Sequence, residues 1–153
     1  MSIPRSFALA LVVVMFVAAA AQEKKIKRSD LPAAVEKTVA AQSKGATIRG
    51  LSKEKEKGQA YYEAELRIDG HNKDVLIDGN GAIVEVEEQG VIDSLSPAVR
   101  GGLQAKAGKG QLLKVESITK HDKLVAYEAQ VMTNGKRSEV QVGPDGQSLE
   151  HEE

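Results

Sequence analysis

The chain has no cysteine and no tryptophan among its 153 residues. Without cysteine there is no disulfide, no thiolate nucleophile and no sulfur-ligated metal site. Both phenylalanines, Phe7 and Phe16, lie near the N-terminus, so Tyr61, Tyr62 and Tyr127 are the only aromatic side chains beyond it. Any core must therefore be aliphatic. An excess of one charge is missing too: 21 basic and 22 acidic residues give a net charge of −1. Nucleic acid and membrane surfaces select clustered Lys and Arg, so neither is expected as a partner. The one basic cluster, Lys24-Lys25-Ile26-Lys27-Arg28, reads as a solvated leader.

Long apolar runs are limited to one, Phe7 to Val17, which is shorter than the ~20 residues that a bilayer span needs. Arg5 precedes it, and Ala18 to Ala21 follow, with Ala19 and Ala21 at the −3 and −1 positions of a cleavage site. This pattern predicts a secretory signal peptide over residues 1–21, cut after Ala21. No cysteine follows to take a lipid, so no membrane attachment is expected after cleavage. The expected location is periplasmic or secreted. Arg5 is the only charge in that segment, so 20 of the 21 basic residues remain against 22 acidic.

What the sequence does contain is internal repetition. Tyr62-Glu63-Ala64 recurs 65 positions on as Tyr127-Glu128-Ala129. Gly70, Val75, Ile77, Gly81 and Val84 recur as Gly135, Val140, Val142, Gly146 and Leu149. Upstream, Leu31, Val35 and Val39 recur as Leu95, Val99 and Leu103. Such a period predicts two copies of one unit, residues 22–90 and 91–153. Each copy opens with a helix. In the first, Ser29 or Asp30 can cap, Pro32 sits in the first turn, Leu31, Val35 and Val39 share a face, and Gly45 stops it. In the second, Ser96 caps, Pro97 follows, Val99 and Leu103 share a face, and Gly108 closes. Gly101-Gly102 in its middle costs about 2 kcal/mol. Either that helix is weak or another backbone approaches it closely.

Strand alternation follows each helix. Tyr62, Ala64, Leu66 and Ile68 alternate with Tyr61, Glu63, Glu65 and Arg67, and Tyr127, Ala129 and Val131 alternate with Glu128, Gln130 and Met132. Asp69-Gly70 and Asn134-Gly135 are hairpin dipeptides. A last strand is expected around Val84 and Val86, and around Leu149 in the second copy. The predicted fold is α+β: two tandem repeats of one helix followed by a three- to four-stranded antiparallel meander, with the helices packed on one face of the sheet. Aliphatic halves of roughly 65 residues would each be marginal alone, so they should share one sheet or pack closely.

These residues carry a family resemblance. Leu31-Pro32-Ala33-Ala34-Val35, Gly58, Tyr62 through Leu66, Asp69-Gly70 and the ending Val75, Ile77, Asp78, Gly81 resemble the PepSY-like group of bacterial periplasmic domains, also called beta-lactamase-inhibitor-like. The match covers residues 30–88, with a looser copy over 94–150. The copy departs where Ser96-Pro97 replaces the Leu-Pro order and Gly143-Pro144 replaces Asp78-Gly79. The resemblance implies an exported, non-catalytic module. In that group, propeptide domains hold peptidases inactive, and the related inhibitor presents a polar concave face to a protein. Neither target carries over, because no residue here identifies one; the expected function is a protein-binding module for another envelope or secreted protein, modulating or inhibiting a peptidase or other envelope enzyme.

Chemistry-bearing residues are few. His71 and His121 fall in predicted turns and His151 in the tail, at spacings that suit no zinc site. Asp74, Asp78 and Asn80 do not match a calcium loop. Glu85, Glu87 and Glu88, with Glu150, Glu152 and Glu153, read as solvated carboxylates near strand ends. There is no Gly-x-Ser-x-Gly elbow and no phosphate-cradling glycine loop, so no enzyme, cofactor or metal is expected. Tyr62 and Tyr127 read as core aromatics, with a ligand-stacking pair as the alternative. Tyr61 stands on the polar face, where Tyr and Arg are favoured contact residues. The candidate partner surface is therefore Tyr61, Glu63, Glu65 and Arg67, with Glu128, Gln130 and Met132. The alternative function is a periplasmic module for a small ligand or a divalent cation.

Overall fold

A computed structural model describes residues 23–153. The predicted signal peptide over residues 1–21 lies outside the described residues. The strands are β1 (Lys24–Lys25), β2 (Thr47–Glu56), β3 (Gln59–Ile68), β4 (His71–Asp78), β5 (Ile83–Gly90), β6 (Gln111–Lys120), β7 (Lys123–Thr133) and β8 (Lys136–Val142). Helix α1 (Ala33–Gln42) separates β1 from β2, and α2 (Pro97–Ala107) separates β5 from β6. Every strand pairs antiparallel with its neighbours in sequence, giving one sheet in the order β1 to β8.

That sheet overturns the expected fold class. The described residues are mostly strand, with two α-helices, and form one eight-stranded antiparallel sheet rather than two tandem helix-plus-meander repeats. The physical reason lies in the middle. β5 pairs with β6 from Glu85↔Lys120 to Gly90↔Val115, so backbone groups that would line an open edge are satisfied within the sheet. Two further departures follow the same logic. The basic leader is not wholly free: Lys24 and Lys25 pair with Lys53 and Ser52 and cover the outer edge of β2, while their side chains stay exposed. No strand forms around Leu149. The chain turns instead, with Gly143 N–H donating to Gln147 O at 2.8 Å.

The hairpins follow from their turn residues. Lys57-Gly58, Asp69-Gly70 and Asn134-Gly135 all have positive φ at both positions, the requirement of the two-residue turns whose twist matches the strands. His121-Asp122 closes β6 to β7 with φ of 47° and 62°. Ser96 caps α2, its Oγ accepting from Val99 N–H at 3.2 Å. For α1 the N-cap is Pro32 rather than Ser29 or Asp30, which lie in a short 3-10 turn, Arg28–Asp30.

Both helices sit on the same face of the sheet. Val35 and Val39 pack on Leu51, Tyr62, Ala64, Leu66, Val75 and Ile77. Val99 and Leu103 pack on Val115, Ala129 and Val142, with Tyr127 at the margin. The registers Val75↔Val86↔Thr119 and Gly90↔Val115↔Ala129 place both clusters on one side. Neither helix reaches the opposite side.

Candidate functional site

Because side chains alternate across a strand, burying one face fixes which residues occupy the other. On β3 the uncovered face carries Tyr61, Glu63, Glu65 and Arg67, and on β7 it carries Glu128, Gln130 and Met132. All seven predicted surface residues therefore share one face. They do not form one patch: β3 and β7 are four strand steps apart, roughly 19 Å. Between them lie Asp74 and Leu76 of β4, Glu85 and Glu87 of β5, and Glu116 and Ile118 of β6.

Sequence reading missed that centre. Glu85 and Glu87 are not at a solvated strand end: both are only partly exposed, in the middle strands of the sheet. The signal was available in the alternation of Glu85 and Glu87 with Val84 and Val86, but only the pairing of β5 with β6 makes it central.

The registers bring carboxylates directly opposite one another: Glu65↔Asp74, Asp74↔Glu87 and Glu116↔Glu128. Like charges in such pairs oppose folding. Glu54, Glu63, Asp74, Leu76, Glu85 and Glu87 line a hollow of about 170 Å³. Two of the three opposed pairs carry a lysine on one member, Lys25 Nζ at 2.5 Å from Glu65 Oε1 and Lys114 on Glu116, and around the hollow itself the neutralising contacts are few. Lys120 Nζ stands 3.7 Å from Glu85 Oε2 and 3.0 Å from Glu153 Oε2, and Ser52 Oγ donates to Glu63 Oε2 at 3.3 Å. Toward β8, Lys114 Nζ is 2.5 Å from Glu116 Oε1, and Gln141 Nε2 donates to Glu128 Oε2 at 2.7 Å. At the β3 end, Tyr61 O–H donates to Gln59 Oε1 at 2.8 Å and Arg67 Nη1 to Asn72 Oδ1 at 3.0 Å.

Carboxyl pKa values rise together here. Burial pushes Glu87 up to about 7, with Glu85 adding repulsion and a hydrogen bond. Burial also raises Glu63 and Asp74, reinforced by Asp74 at the first and by Glu116 and Glu65 at the second. Glu54 and Glu128 rise by burial as well, the latter opposed by its bond from Gln141.

A pH effect follows. With a native pKa of about 7 against 4.5 for the unfolded chain, native Glu87 holds a proton that the unfolded chain loses. Between those pH values the native state binds more protons, so stability falls as pH rises. The contribution is complete below about pH 4.5 and lost as pH rises through about 7. Solvent screening of this partly exposed group leaves an effect on the order of 1 kcal/mol. Glu87→Gln should therefore raise the Tm at pH 8 by about 3 °C and leave it unchanged at pH 4. An identical Tm for both proteins at pH 8 would show that Glu87 is not strained in the fold.

The remaining candidates are dispersed. His71 begins β4, His121 is in a turn and His151 is in the tail; among the described residues no three His, Asp or Glu groups are placed to hold a metal. Asp78 is occupied locally, its Oδ1 accepting from Asn80 and Ala82 N–H at 2.9 Å each. Tyr62 is buried on the helix face with Lys53 Nζ 5.4 Å from its ring centroid. Tyr127 is only partly buried on that face.

No family model and no curated protein matches the chain. Solved structures do. A protein from Bacteroides eggerthii, provisionally described as periplasmic, is similar at 18% identity and a TM-score of 0.64, over 78% of this chain and 86% of that one. A DUF2874 family protein from Bacteroides ovatus is similar at 19% identity and a TM-score of 0.61, over 78% and 85%. A BLIP-like protein, named for a beta-lactamase inhibitor protein, from Bacteroides fragilis matches at 20% identity and a TM-score of 0.58, over 78% and 83%. At these identities the shared property is the fold.

Proposed function

We propose that the chain is an exported protein-binding module without catalysis of its own, which presents the helix-free face of its sheet to another envelope or secreted protein. The observation that carries this is the row of opposed carboxylates at the centre of that face, held against their mutual repulsion. A protein keeps such a face when something other than folding uses it. The partner surface that fits is basic, and the modulated partner is an envelope enzyme such as a peptidase. The likeness to the BLIP-like protein supports binding, and the periplasmic description of the Bacteroides eggerthii protein supports the location, periplasm or exterior. Among the described residues no helix is long and apolar enough to cross a membrane.

The test is capture from envelope extract of the source organism by the purified protein, against the same protein carrying Glu63→Lys and Glu87→Lys. Removing buried repulsion should not harm the fold. The wild-type protein should retain one envelope protein at 50 mM salt, lose most of it at 500 mM, and lose it in the charge-reversed form. Equal retention by both proteins would defeat the surface assignment. A companion protein with Tyr61→Ala and Arg67→Ala reports whether the contact extends to the β3 end.

A further inference from the structure

The two edges of the sheet are treated differently. At one edge, β1 and Ile26, whose N–H donates to Leu51 O at 2.9 Å, cover the outer side of β2. At the other edge β8 pairs with β7 alone. The chain beyond Val142 does not cover it: after the turn its end reaches the sheet at Gln141, where Glu153 N–H donates to Oε1 at 2.8 Å. Lys136, Arg137, Ser138 and Glu139 remain exposed. An unpaired strand of this length is a template for another strand.

We propose that β8 pairs antiparallel with β8 of a second copy, about a two-fold axis through Ser138, joining two sheets into one. Side-chain chemistry selects both occupant and register. In a two-fold antiparallel pairing without a bulge, opposed residues must point to the same face, so the axis must pass through a residue. Centred on Ser138, Arg137 faces the partner's Glu139 and Glu139 faces the partner's Arg137, giving two opposite-charge pairs. Lys136 then faces the partner's Val140. Centred on Arg137 or Glu139, the axis sets like charges together; centred on Val140, no opposite charges meet. A charged edge ordinarily blocks pairing, but a positive and a negative residue two apart make the strand complementary to itself.

Arg137 and Glu139 are also free to pair. Both are exposed, and among the described residues neither makes an ion pair or a side-chain hydrogen bond within the chain. Their cross-strand partners Met132 and Gln130 place them on the helix-free face. A two-fold axis normal to the sheet would set both such faces side by side, doubling the surface offered to a partner.

Five residues a side make a small interface, so the dimer should be weak and concentration-dependent. Sedimentation equilibrium of the protein purified from the envelope fraction should show its mass rising from one copy toward two between about 10 μM and 1 mM. Arg137→Glu alone and Glu139→Arg alone each set like charges across both pairs and should weaken association at least tenfold. The double exchange, Arg137→Glu with Glu139→Arg, should restore it to within about threefold. Circular dichroism should be unchanged throughout. A wild-type protein that remains a monomer at 1 mM overturns the proposal. So does a dimer that ignores both single reversals, or one that the double exchange fails to restore.

Discussion

Gly102→Ala is expected to destabilise the protein by about 3 kcal/mol, while Gly101→Ala, one residue earlier in α2, stabilises it by up to about 1 kcal/mol. The contrast rests on what each new methyl group would meet. A Cβ on Gly102 would lie 2.1 Å from the carbonyl oxygen of Gly146, whereas one on Gly101 has nothing within 4 Å. The contact is backbone on both sides. Gly146 itself, at φ +80°, has room for no Cβ, because Ala98 O would be 2.2 Å away. Neither partner can swing aside as a side chain would, so the turn or the helix must move. Urea midpoints with an unchanged m value would measure both substitutions. Similar effects at the two glycines would show that the turn sits loosely on the helix. This turn matters to the face opposite: it reverses the chain after β8 and sends its end back to Gln141.

That pair of glycines also shows where sequence reading stops. Two glycines inside a helix signalled either weakness or close approach, and only the position of Gly146 decides for approach at Gly102. What could be read was local. The alternation through Tyr62, Ala64 and Leu66 named a buried face and, by exclusion, the face carrying Tyr61, Glu63 and Glu65. Asp69-Gly70 and Asn134-Gly135 marked their hairpins because few other dipeptides accept positive φ twice. What escaped depended on pairing between distant segments. That the two halves share one sheet was expected only from the marginal size of each aliphatic half, and the seam that joins them, β5 on β6, is a contact that no local pattern encodes. Glu87 illustrates the consequence: as a strand-end residue it would be a solvated carboxylate, but between β4 and β6 it is half-buried opposite Asp74. The strand expected around Leu149 does not form: it would have had β8 alone to pair with, where β5 is held by β4 and β6, and the chain turns through Gly143 to Gln147 instead.

Leu66→Ala and Leu103→Ala should each cost about 3–4 kcal/mol, and the double substitution should leave no folded protein. Leu66 is 1% exposed in the cluster under α1, and Leu103 is 0% exposed in the cluster under α2. Neither cluster holds a phenylalanine or tryptophan, and apart from Tyr62 under α1 and Tyr127 at the margin under α2 the neighbours are small aliphatic side chains that fill little of the space. The two sites share no packing partner, so their costs should add to within about 0.5 kcal/mol. A sum of about 7 kcal/mol reaches into the whole stability of an ordinary domain. Whether the single substitutions melt in one transition tests the sheet itself. Pairing of Glu85–Gly90 with Val115–Lys120 ties the strands beneath one helix to those beneath the other. Loss under α2 should therefore lower a single transition, seen at the same temperature by circular dichroism and by tyrosine fluorescence. A biphasic melt of Leu103→Ala, with one phase at the wild-type temperature, would mean that the β5–β6 seam does not carry cooperativity. The acidic face spans that seam, so a chain that melts as one unit also holds Asp74, Glu87 and Glu116 in a single rigid array for whatever docks there.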